Sequence, residues 1–136
     1  MEDSGREIVY PTVEQICEVN RRMIEEFGGL FIPPNNMLNL GALEYILDAV
    51  KSFVYGHTMY PSLKEKANAI AYQIISRHVF HDGNKRTAIH IAWEFLRSNG
   101  IPLVLNSSIV ELSVAISAGE SSQEELLEWL HEHQEN

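Results

Sequence analysis

The chain has 136 residues and a mass of 15.5 kDa, enough for one domain with a hydrophobic core of its own. Hydrophobic residues make up 45% and charged residues 21%, which excludes wholesale disorder. With 19 acidic against 10 basic residues and a net charge of -9, the sequence lacks the basic surplus of a general nucleic-acid binder.

The lone Cys17 cannot close an internal disulfide and fits a reducing compartment. No apolar run approaches the roughly 20 residues needed to cross a bilayer. Residues 1–6 are polar and acidic and do not read as a secretory signal. The expectation is a soluble cytoplasmic protein with no membrane and no direct nucleic-acid partner.

The pattern along the chain is helical almost throughout. Thr12 and Gln15 are spaced as a capping box. Val13, Ile16, Cys17, Asn20, Met23, Ile24 and Phe27 follow at helical spacing, all apolar except Asn20. Gly28 and Gly29 stop this helix. Residues 30–37 hold Pro33, Pro34, Asn35 and Asn36, which predicts a short extended flap or turn. A second helix carries Leu40, Leu43, Leu47, Val50 and Val54 on one face and ends before Gly56. Tyr60, Pro61 and Ser62 open a third, with an apolar stripe of Leu63, Ala67, Ile70, Ala71, Ile74 and Ile75 running toward His78. A turn follows. The fourth helix, from about Asn84 to Ser98, has few polar positions and reads as the buried central one. Leu103, Val104 and Leu105 read either as a strand or as a packed connection. Two weaker helices follow, near 109–118 and 122–131, with Gly119 between them as a C-terminal stop. Tyr10, Trp93 and Trp129 read as core, and His131 and His133 as solvated tail residues.

Charge is distributed unevenly. Residues 61–100 contain six basic residues (Lys64, Lys66, Arg77, Lys85, Arg86, Arg97) and three acidic ones (Glu65, Asp82, Glu94), a balance of +3, so the remainder stands at -12. An acidic protein with a basic middle can hold a small anion without attracting long polyanions.

The chemistry concentrates in the nine residues from His78 to Arg86, an exceptionally polar segment between two apolar helices. The first N–H groups of a helix lack internal partners and carry partial positive charge. Gly83 lets backbone approach an anion closely, and Lys85 and Arg86 add full charges, together a phosphate cradle. Asp82 can hold Mg²⁺ alongside phosphate oxygens and water. His78 can take a proton from an attacking hydroxyl. A base, a metal ligand and an anion clamp are the parts of a phosphoryl- or nucleotidyl-transfer site. Taken singly, each residue has a plainer reading: an Asp-Gly-Asn turn is usually only a turn, and a Lys-Arg pair at a helix start is usually solvated. His81 reads as structural rather than chemical. The combination favours a site.

The segment His78-x-Phe80-x-Asp82-Gly83-Asn84-Lys85-Arg86-Thr87-Ala88 resembles the Fic/Doc signature in its death-on-curing (Doc) form. Similarity extends through Tyr60-Pro61-Ser62-Leu63-x-x-Lys66-Ala67, Phe95-Leu96-x-x-Asn99-Gly100, Ala118-Gly119-Glu120 and Glu128-Trp129-Leu130, covering most of the chain from about Gly29 onward. The resemblance implies an all-α helical bundle, a single domain over residues 1–136 whose active loop joins two central helices. It implies His78 as catalytic base, Phe80 as the anchor of the loop and Asp82 as the Mg²⁺ ligand. Gly83, Asn84, Lys85 and Arg86 would hold the phosphates of ATP.

The AMP-transferring members of the family carry Gly-Arg where this chain has Lys85-Arg86, and a second Arg where it has Ile89. Without that Arg a bidentate phosphate clamp is lost. The Doc branch likewise has Lys and lacks the Arg, and is known as a kinase of elongation factor Tu. The resemblance therefore implies a toxin that passes the γ-phosphate of ATP to a Ser/Thr hydroxyl of a protein and inhibits translation, with AMP transfer as the alternative. Many AMP-transferring members also carry an inhibitory helix, [S/T]-x-x-x-E-[G/N], which this sequence does not contain. Inhibition is then expected from a separate antitoxin chain.

Two other readings compete. His81-Asp82 in a helical protein is similar to the metal pair of HD phosphohydrolases, with His57 as an upstream ligand and His90 within reach. Asp82 is the last Asp in the sequence, however, and the downstream ligand is missing. A non-catalytic binding module is the other alternative, against which the intact motif argues.

Overall fold

The computed structural model describes residues 7–135. Six helices are found among them: α1 (Val13–Phe27), α2 (Leu40–Lys51), α3 (Leu63–Ser76), α4 (Asn84–Ser98), α5 (Ser108–Ser117) and α6 (Gln123–Glu132). Three isolated bridges are the only β pairing among the described residues. The fold is all-α, as the periodicity predicts.

The helices begin where the sequence supplies a side-chain acceptor. Thr12, Ser62 and Ser122 each close a full capping box, with Gln15, Glu65 and Glu125 reaching back to the cap residue's N–H. Asn39 caps α2 through its side-chain oxygen. Each such cap contributes about 1 kcal/mol by satisfying N–H groups that have no intrahelical partner.

The hairpin of α3 and α4 forms the centre. The predicted stripe of α3 is buried in full, and Ala69 joins it. On α4, Ala88, Ile91, Ala92, Phe95 and Leu96 are buried, while Ile89 and Trp93 are partly covered. α1 packs on α4, α2 on α3, and α5 and α6 close the remaining faces of the hairpin. Leu103 is a packed connection, held by a single bridge to Gln134. Trp129 is core and donates its indole N–H to the Ser108 hydroxyl at 2.8 Å.

The second helix departs from its expected end. α2 stops at Lys51, and Val54 lies outside it, 56% exposed. The carbonyl of Val50 accepts instead from the buried ammonium of Lys66, which also bonds the Tyr60 carbonyl. Val54 then pairs with His57 across a tight turn, with both Tyr55 and Gly56 at positive φ. Lys66 is thereby withdrawn from the basic surface that its sequence position suggested. His133 also departs from expectation: its ring stacks on Trp129 at 3.8 Å between centroids, and Nδ1 meets the Trp129 carbonyl. Phe27 was expected on the buried face of α1 but is 53% exposed.

Candidate active site

Residues 77–83 join α3 to α4, so the two most buried helices fix both ends of this loop. Val79 and Phe80 turn inward and are fully buried. His78, His81 and Asp82 stay exposed on either side of them. The Phe80 backbone is secured by Asn84, whose side-chain oxygen accepts the Phe80 N–H at 2.9 Å and whose NH₂ donates to the Phe80 carbonyl at 2.8 Å. Phe80 is thereby fixed by its own burial and by the Asn84 side chain. The Asn84 amide is engaged by the loop, which leaves its backbone N–H as its group for an anion.

His78 has φ of 50°, a left-handed conformation that non-glycine residues seldom adopt. Asn39 holds the peptide that precedes it and the one that follows Val79. The Asn39 NH₂ donates to the Arg77 carbonyl at 3.2 Å, and the Asn39 N–H donates to the Val79 carbonyl at 2.9 Å. A strained residue persists when its surroundings over-determine it, and such residues gather at functional sites.

The Asp82 carboxylate lies at the entrance to α4. One oxygen accepts the Leu30 N–H and the other the Gly83 N–H, both at 2.8 Å. These backbone donors, first Leu30 and then Gly83, hold its pKa below the ordinary Asp value, with the Lys85 charge adding to them. Asp82 is thus an ionised, exposed carboxylate, and each oxygen keeps acceptor capacity beyond its one amide. That fits a Mg²⁺ ligand completed by phosphate oxygens and water. Among the described residues no group of three or more His, Cys, Asp or Glu side chains could share a metal. The His-rich arrangement of the HD reading is therefore not assembled there. His90 instead lies 3.5 Å from Glu94 and packs on Trp93, and His57 belongs to the turn after α2.

Gly83 is the N-terminal cap residue of α4, in the left-handed region at φ of 77°. A Cβ there would stand 3.0 Å from both the Asn20 amide and Ile24 of α1, so glycine answers the backbone and the close packing together. The first bond of α4 runs from the Thr87 N–H to the Gly83 carbonyl. The N–H groups of Asn84, Lys85 and Arg86 precede it and belong to the donor end of the helix. The Lys85 and Arg86 side chains are exposed there, and the Arg86 guanidinium lies over the Phe27 ring, 4.4 Å from its centroid. Beyond Arg86 runs an open apolar cleft of about 620 Å³ between α1, α4 and the start of α5.

The segment 30–39 covers the loop as a flap. Met37 pairs with Phe80, the Leu38 N–H donates to the Val79 carbonyl, and the His81 N–H donates to the Asn36 carbonyl. Gly29 at its base passes so close that a Cβ would stand 2.8 Å from the Asp82 carboxylate. Sequence reasoning did not single out Asn20, Asn36 or Asn39 as parts of the site. Asn20 had a visible signal, the one polar position on an apolar helical stripe. The other two act through contacts made across the fold.

Residues 10–96 match the family model described as Fic/DOC family. The chain is 38% identical over 69 residues to a protein named Toxin Doc from Mycolicibacterium smegmatis, covering 51% of this chain and 53% of that one. It is 29% identical over 112 residues to one named Protein kinase doc from Escherichia phage P1, covering 80% of this chain and 82% of that one. The family match takes in α1 as well as the flap, the loop and nearly all of α4. On the extent of that match and the signature from His78 to Arg86, the chain belongs to the Fic/Doc family, on its Doc branch.

Proposed function

We propose that this chain is a Doc-type toxin and Ser/Thr protein kinase, a single Fic/Doc domain that uses ATP and Mg²⁺ and inhibits translation by modifying elongation factor Tu. The observation that carries this reading is the loop itself: an exposed His78 in strained backbone and an ionised Asp82 at the donor end of α4, on one segment anchored by Phe80. The relatives named Toxin Doc and Protein kinase doc support the biological role.

In this mechanism His78 accepts the proton of the target Ser or Thr hydroxyl on an imidazole nitrogen. The hydroxyl oxygen forms a bond to the γ-phosphorus as the bond from that phosphorus to the β–γ bridging oxygen breaks, and ADP leaves with the electron pair. The N–H groups at the start of α4, Lys85 and Arg86 hold the phosphates and oppose their charge. Asp82 would hold Mg²⁺, which when bound would neutralise part of the charge on the phosphates. Inhibition comes in trans from an antitoxin chain, in keeping with the toxin name of the first relative.

The experiment uses ATP labelled at the γ- or the α-phosphate, with Mg²⁺ and purified elongation factor Tu. Transfer of the γ-label alone is expected. Transfer of the α-label alone would replace the kinase reading with AMP transfer, and labelling of a different protein in a cell extract would replace the target.

A further inference from the structure

Two amides with no assigned role lie fully buried beneath the loop, Asn20 on α1 and Asn36 in the flap. The Asn20 NH₂ donates to the Asp82 carbonyl at 2.9 Å and to the Thr87 hydroxyl at 3.1 Å. The Asn20 side-chain oxygen accepts from the Asn36 NH₂ at 3.0 Å, and that NH₂ also lies 3.4 Å from the Asp82 carbonyl. The Asn36 side-chain oxygen accepts the Ile32 N–H at 2.8 Å. Every polar side-chain atom of the pair is therefore engaged. Three segments of the chain converge on it: α1, the flap and the entrance to α4.

A trans peptide is planar, with its C=O and N–H pointing in opposite directions. Holding the Asp82 carbonyl inward against Asn20 and Asn36 turns the N–H of the same peptide, that of Gly83, outward. There it meets the Asp82 carboxylate and the donor end of α4. Asn36, at φ of 61°, also accepts the His81 N–H on its own carbonyl, so the flap and the loop are fixed by one residue.

We propose that Asn20 and Asn36 are positioning residues of the phosphate cradle: they hold the Asp82–Gly83 peptide in the orientation in which the Gly83 N–H bonds the Asp82 carboxylate and fixes it at the donor end of α4, facing ATP. This rests on the reading of the site as an ATP site. Neither residue touches the nucleotide, and both act through that one peptide.

The test measures the dissociation constant of ATP with Mg²⁺ by calorimetry, well below the melting temperature, for the parent, Asn20→Leu and Asn36→Gly. Glycine at 36 keeps the positive φ, the bond from its N–H to the Ile32 carbonyl and the bond from the His81 N–H to its carbonyl, and removes only the amide. Leu43→Ala, a core change on α2 that removes none of these hydrogen bonds, is the control for lost stability. A hydrogen bond to a charged group corresponds to about a tenfold change in affinity or more. Both Asn variants are therefore expected to bind ATP at least about tenfold more weakly, with Leu43→Ala unchanged at equal or greater loss of melting temperature. Unaltered affinity in both Asn variants, or an equal loss in Leu43→Ala, overturns the proposal. Should the parent itself fail to bind ATP, the ATP reading fails instead. The amide NMR shifts of Gly83 and Leu30 then decide: movement in both Asn variants but not in Leu43→Ala supports the positioning role, and unchanged shifts overturn it.

Discussion

Asn84 and Phe80 close a reciprocal pair of hydrogen bonds, side-chain amide against backbone, at 2.9 and 2.8 Å. Through this pair the first residue of α4 reaches back over the turn and grips the loop at its one large buried side chain. The loop is then held by Phe80 burial below and by Asn84 from the helix. Asn84→Ala breaks both bonds at once and is expected to cost about 2 kcal/mol. Transfer is expected to fall by at least about tenfold, because the loosened loop no longer keeps His78 and Asp82 in register. Asn84→Asp keeps the acceptor but sets a carboxylate against the Phe80 carbonyl, and should be no better than alanine. Chemical denaturation and initial rates check both.

Asp82 carries the expected acid dependence. Its pKa is depressed because the Leu30 and Gly83 amides, and then Lys85, favour the ionised form. A depressed carboxylate stabilises the fold above its ordinary value of 3.8, and that contribution is lost as pH falls through its lower folded value. Asp82→Asn is therefore expected to be less stable than the parent near neutral pH, with the difference closing in acid below the ordinary value. The same variant should lose Mg²⁺-dependent transfer. Denaturation curves from neutral to strongly acidic pH check the first, and a Mg²⁺ titration of activity the second.

Much of this architecture is legible in the sequence because it is local. Capping boxes lie within four residues, and apolar stripes repeat every three or four, so all six helices could be placed to within about a turn. The loop could be found because it interrupts the most apolar part of the chain. The misplaced features depend on partners far away in sequence. α2 ends early, with Lys66 on the Val50 carbonyl, and the exposed Phe27 ring carries Arg86 over its face. His133 is held by Trp129 through stacking, which its polar neighbours do not reveal. The Asn20–Asn36 pair joins residues on different elements and emerges only once the flap lies on the loop.

The Arg86–Phe27 contact bears on the phosphate end of the site. An exposed guanidinium on a flexible stem loses entropy when a ligand fixes it, and the ring holds it in place beforehand. Phe27→Ala is expected to lower stability by about 1 kcal/mol or less. It should weaken ATP binding by about two- to fivefold, since an exposed contact of this kind corresponds to that range. Phe27→Leu keeps apolar cover without the aromatic face and should behave like alanine in binding. Calorimetric titration with ATP and Mg²⁺ checks this.

His78, in left-handed backbone, is the proton acceptor of the proposed mechanism. The most direct measurement compares γ-phosphate transfer and unfolding free energy for the parent and His78→Gly. Glycine adopts φ of 50° without the steric cost, so stability should hold or rise by up to about 1 kcal/mol. Loss of the imidazole should slow transfer by about 100-fold or more. A variant that is stable and inactive is the expected result. A His78→Gly protein that transfers phosphate at the parent rate would rule His78 out as the proton acceptor.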